Sequence, residues 1–194
     1  MKNQIVISTV VMIVVMTVLI LGGCTTKDSN DNSGNTEPEI YTPVHSIGTR
    51  DDQFWIVYPP ENPSSGQPVT HLSWVNESLK NSSLVFVVHR TGCTSCQAQA
   101  DRVITLGRKY QGQAMFLDLD LSLGGATEQQ ANSAYLYDPD GPPGYIALTG
   151  VFTLVKQNGV LSYGWHSWEL NVDETELESW VKDAIYYYDL NNLS

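Results

Sequence analysis

The chain alternates short apolar runs with stretches whose apolar side chains recur every three or four positions, and the two periods predict different elements. Leu84-Val85-Phe86-Val87-Val88 is unbroken, apolar and β-branched, the pattern of a central strand buried on both faces. Ahead of it, Phe54-Trp55-Ile56-Val57-Tyr58 predicts a strand ended by Pro59-Pro60, and Thr70 is placed to cap a short helix carrying Leu72, Trp74, Val75 and Leu79. Beyond it, Ala100, Val103, Ile104 and Tyr110 fall at helical spacing, and residues 114–121 (AMFLDLDL) alternate like a strand. A helical pattern over 127–137 gives way to the breaker-rich Asp138-Pro139-Asp140-Gly141-Pro142-Pro143-Gly144. Strands over 151–156 and 160–163 flank Asn158-Gly159, a strong hairpin signal. A last helix, capped by Asp173, aligns Leu177, Trp180, Val181, Ala184, Ile185 and Tyr188 in one stripe. The order is βαβαβαββα without an internal repeat, so residues 41–194 form one mixed α/β domain.

The first forty residues follow a different rule. Lys2 precedes an uncharged run from Ile5 to Gly23, about long enough to cross the ~30 Å hydrocarbon layer, so residues 1–23 form a signal peptide or a membrane anchor. The run ends in Leu21-Gly22-Gly23-Cys24, which resembles the lipobox of lipoproteins. That resemblance implies cleavage before Cys24 and a lipid on its new terminus. An uncleaved anchor with an idle Cys24 is the alternative. With Lys2 held inside, either topology puts everything after it on the outer face of the cytoplasmic membrane. Residues 25–39 carry no large apolar side chain and cannot bury enough surface to order themselves, so 24–40 form a flexible tether.

Charge narrows the choice of partners. The 194 residues hold 10 Lys+Arg against 21 Asp+Glu, a net charge of −11. A protein so acidic, without a basic cluster, repels a phosphate backbone, so nucleic acid is excluded as a ligand. Asp118, Asp120, Asp138 and Asp140 fit no full calcium-loop spacing and read as a solvated strand end and turn.

The candidate chemistry lies in His89-Arg90-Thr91-Gly92-Cys93-Thr94-Ser95-Cys96, where the central strand passes into the second helix. A helix start presents unpaired N–H groups and the positive end of the peptide dipoles, which favours an anion. In a Cys-x-x-Cys pair at such a place the first thiol's pKa falls from ~8.5 to as low as ~3.5, supplying the thiolate that attacks a disulfide. Cys96, one turn on, is placed to resolve the mixed disulfide. With Cys24 lipidated, the chain's two other cysteines have only each other as intramolecular partners. His89 or Arg90 beside Cys93 would favour its thiolate further.

Element order, the Asn158-Gly159 hairpin and Cys93-Thr94-Ser95-Cys96 together resemble the thioredoxin-like family over about residues 53–191. The resemblance implies a three-layer α/β sandwich, with a mixed central sheet and helices on both faces. It also implies a thiol-disulfide oxidoreductase acting on protein thiols and disulfides, with Cys93 as nucleophile and Cys96 as resolving cysteine. No cofactor or metal is called for. The chain departs from the family in three places: Gly92 precedes Cys93, Val87 stands where many members carry a buried acid, and Thr149-Gly150-Val151-Phe152-Thr153 holds no proline where a cis-proline precedes the hairpin. Two other uses of the cysteines stay open. One is an inert binding module. The other is copper or other metal delivery with His166 as a distant ligand, although His45, His71, His89 and His166 match no recognised zinc spacing.

Overall fold

The computed structural model describes residues 41–193. The predicted signal or anchor segment and the whole of the predicted tether, Cys24 included, lie outside the described residues. Among the described residues no helix is long and apolar enough to cross a membrane.

Six strands form one mixed sheet: β1 (Ser46–Gly48), β2 (Gln53–Trp55), β3 (Ser83–His89), β4 (Ala114–Asp120), β5 (Leu148–Gln157) and β6 (Val160–Glu169), in the order β1-β2-β6-β5-β3-β4. β3 pairs parallel with β4 and antiparallel with β5, while β5 and β6 form an antiparallel hairpin. All seven residues of β3 are buried, as an apolar run covered on both faces requires. Alternate side chains enter two cores. Leu84, Phe86 and Val88 join Phe152, Trp165 and Tyr137 on the face that carries α1 (Ser73–Ser78) and the 3-10 turn Ala134–Tyr137 after α3 (Gly125–Ser133). Val85 and Val87 join Val103, Leu106, Trp180 and Val181 on the face covered by α2 (Thr94–Lys109) and α4 (Glu174–Asn192). This is the thioredoxin-like three-layer sandwich.

The hairpin turns where the sequence says it should: Asn158 and Gly159 both have positive φ, 50° and 81°. Asp173 caps α4 by accepting from the Thr175 N–H at 2.9 Å.

Five elements differ from the sequence reading. β1 was not anticipated; three half-exposed residues give too little alternation to read. The predicted 54–58 strand stops at Trp55, because Tyr58 instead closes a local loop, donating to Gln67 O and accepting from Gly66 N, both at 3.0 Å. Thr70 does not cap α1. The cap is Leu72, whose N–H donates to the Tyr137 hydroxyl at 3.0 Å, so a tertiary contact sets the helix start. The hairpin strands also run longer, to Leu148 and Glu169. The stretch Gly164 to Ser167 conceals that extension, because its two polar side chains that break the apolar pattern are paired inside the protein: His166 Nδ1 donates to Gln53 O at 2.9 Å and Ser167 Oγ to Tyr137 O at 2.5 Å.

Candidate functional site

Cys93 and Cys96 are joined by a disulfide, with Cα atoms 5.4 Å apart, at the start of the 16-residue helix α2. Cys93 is the N-cap: its carbonyl accepts from Cys96 N at 3.1 Å and Gln97 N at 3.2 Å. The two sulfurs differ in access. Cys93 is half-buried beside the exposed Thr94 and Ser95, whereas Cys96 is fully buried among Ala100, Val103 and Ala147. Gly92 makes the turn into the helix with a φ of +85°, which suits glycine.

Asp120 holds that turn from the end of the neighbouring strand. Its carboxylate accepts from the Thr91 N–H at 3.1 Å and from the Thr91 hydroxyl. It also accepts from the Ser122 N–H at 2.8 Å and from the Ser122 hydroxyl. Burial opposes the charge, but these hydrogen bonds outweigh it and hold the carboxyl well below the usual range. The solvated strand end predicted for Asp120 is therefore corrected: it is 6% exposed and structural.

Gln99, fully buried, ties α2 to β5 and to the segment that leads into α4. Its Nε2 donates to Thr149 Oγ1 at 3.0 Å, and its Oε1 accepts from Val172 N at 2.9 Å. Asn171 adds a bond from Nδ2 to Ser95 O at 3.3 Å. The sequence reading does not single out Gln99, and it assigns Asp120 no part in the cysteine turn. The available signal for Gln99 was a lone amide within the apolar stripe Cys96, Ala100, Val103.

The surroundings of the pair differ in part from expectation. Val87 lies in the apolar cluster with Cys96, so the chain presents no acid there. His89 lies on the same face of β3, but its Nε2 is bonded to Asp118 at 2.5 Å, while its Nδ1 is buried without a partner. Arg90 is exposed. A cis peptide does precede β5, at Ile146–Ala147 rather than near Val151, because β5 begins three residues earlier than its apolar run. Ile146 and Trp168 pack against the same apolar cluster as Cys93. His166 is 3% exposed, stacked on Trp55 with ring centroids 3.9 Å apart. Among the described residues no histidine joins the cysteines in a three-ligand group; the group that does assemble is Asp138, Asp140 and Glu169. Asp138 is only 1% exposed, which also corrects its reading as a solvated turn residue.

No protein-family model matches the chain. None of the curated proteins compared with it matches either. Among solved structures it is similar to the thioredoxin of Fasciola hepatica, at 15% identity over 57% of this chain and 88% of that one, with a TM-score of 0.38. It is also similar to thioredoxin O2 of Arabidopsis thaliana in its oxidised state, at 16% identity over 57% and 85%, TM-score 0.37. The thioredoxin of Trichomonas vaginalis aligns at 12% identity over 72% and 95%, TM-score 0.39. These likenesses are distant. The fold class stands on the strand order and polarity described above, and the site on the cysteine geometry.

Proposed function

We propose that the protein is a thiol-disulfide oxidoreductase of the extracytoplasmic face, tethered to the membrane through its N-terminal segment. The observation that carries the chemistry is the unequal access of two bonded sulfurs at the first turn of α2, one reachable and one enclosed.

In the reduced protein the Cys93 thiolate, favoured by the N–H groups and dipole of α2, attacks one sulfur of a partner disulfide. The Cys93–partner bond forms as the partner's S–S bond breaks, and the departing thiolate takes a proton from solvent. Cys96, having lost its proton, then attacks the Cys93 sulfur. The Cys93–Cys96 bond forms, the mixed disulfide breaks, and the partner leaves with both sulfurs reduced. Two electrons pass from the protein to its partner; the reverse sequence, starting from the disulfide described here, oxidises a partner dithiol. Hydrogen bonds through Asp120 and Gln99 hold the turn and the helix in register during exchange.

The test is disulfide reduction of insulin with dithiothreitol as electron source. Cys93→Ser abolishes the reaction, and Cys96→Ser accumulates mixed disulfides visible on a non-reducing gel. Equal, poor reduction by wild type and Cys93→Ser overturns the redox assignment in favour of an inert binding module.

A further inference from the structure

We propose that Asp138, Asp140 and Glu169 form a binding site for a hard divalent cation of the calcium class, where the loop after the 3-10 turn meets the end of β6. The site is built around one enclosed oxygen. Asp138 Oδ1 accepts from the N–H groups of Asp140 at 3.2 Å and Gly141 at 3.0 Å, which fixes the carboxylate in place. Its Oδ2 is buried and has no hydrogen-bond partner. An enclosed carboxylate oxygen without a donor is costly unless a cation or proton meets it.

Geometry favours the cation. One oxygen from each of the three carboxylates lies within 4.8 Å of the others. A point central to such a triangle is at most about 2.8 Å from each corner, within reach of the ~2.4 Å distance of calcium–oxygen bonds. The donors are all oxygen, which selects calcium-class ions over zinc or copper. Asp140 is exposed and leaves room for the waters that complete a coordination of six to eight. Glu169 also lines an open depression of about 370 Å³ with Asp51, Glu61 and Pro139, whose lining contains no lysine or arginine. That depression gives a cation a route of favourable potential.

The position suggests what the ion does. Glu169 Oε1 accepts from Tyr145 N at 2.6 Å, one residue before the Ile146–Ala147 segment that packs against the cysteine cluster. A cation drawing Glu169 and Asp138 together fixes the loop that forms this wall. Binding itself needs neither cysteine, so the inference does not depend on the redox assignment.

The experiment strips the full chain, in detergent, with a chelator and titrates it with calcium chloride by calorimetry. A parallel titration uses terbium(III), whose luminescence is excited through nearby rings such as Tyr135. One equivalent binds to wild type and equally to Cys93→Ser. Asp138→Asn keeps an acceptor for the two backbone N–H groups yet weakens binding at least tenfold, and Glu169→Gln does the same, while Glu77→Gln, at an exposed position of α1, leaves it unchanged. Absence of binding at millimolar calcium overturns the proposal. So does unchanged affinity in folded Glu169→Gln, and in that case the three carboxyls only share protons.

Discussion

Asp120 shows how much one side chain controls near the cysteines. Its carboxylate takes four hydrogen bonds, two from Thr91 and two from Ser122, and thereby fixes the residues that lead into Gly92 and Cys93. Removing it leaves the N–H groups and hydroxyls of Thr91 and Ser122 without their shared acceptor, which is more damaging than losing a surface charge. Asp120→Ala therefore lowers unfolding free energy by about 1–3 kcal/mol in urea titrations at neutral pH. Because the folded carboxyl sits below its unfolded value, that contribution is present above the unfolded pKa near 3.9 and is lost as pH falls below it. A change under about 0.5 kcal/mol would show the bonds to be solvent-equivalent.

At the level of elements, β6 and the segment before α1 each enclose an imidazole. Burial lowers His166 to about 4, despite its bond to Gln53 O, and lowers His71 to about 4. In the unfolded chain both accept a proton near pH 6.5. Between pH 6.5 and 4 the unfolded state thus binds more protons, and stability falls as pH drops through that window, by on the order of 3 kcal/mol for His166 alone. Asp138 acts in the opposite sense. Burial, then the facing Asp140 and Glu169 carboxyls, raise it to about 8, so without a bound cation its folded form holds a proton that the unfolded form releases near pH 4. Its contribution is full below pH 4 and is lost as pH rises to about 8. Urea stability measured in chelator from pH 4 to 9 therefore peaks near pH 6–7, the two histidines outweighing Asp138 on the acid side. A flat profile from pH 7 to 5 would contradict the burial of these imidazoles.

Over the whole molecule, Asp183 of α4 holds residues 41–45 against the last helix. Its enclosed carboxylate accepts from Tyr41 Oη at 2.5 Å, from the N–H groups of Val44 at 3.0 Å and His45 at 2.7 Å, and from His45 Nδ1 at 2.7 Å. These bonds tie the first described residues to the last helix. If Cys24 carries the lipid, cells labelled with a radioactive fatty acid yield a labelled protein in the membrane fraction, and Cys24→Ala abolishes the label. Label retained in Cys24→Ala would place the lipid elsewhere; an unlabelled wild type in the membrane fraction would mark residues 1–23 as an uncleaved anchor.

Local pattern determined the elements whose environment is uniform along their length. The unbroken Leu84–Val88 run, the Asn158-Gly159 turn, the Asp173 cap and the Cys93/Cys96 spacing were legible because propensity, period and short-range hydrogen bonding all act within a few residues. Tertiary structure alone decided what depends on partners distant in sequence. Leu72 starts α1 because Tyr137 meets its N–H, β6 continues through His166 and Ser167 because Gln53 and Tyr137 satisfy them, and Asp120 reaches Thr91 only after β3 and β4 pair. The same holds for Asp138, Asp140 and Glu169. Their carboxylates converge because the hairpin brings the end of β6 beside the loop, and no window of sequence contains that juxtaposition. A buried polar group is stable only with its partner in place, so its role becomes visible when the fold supplies that partner.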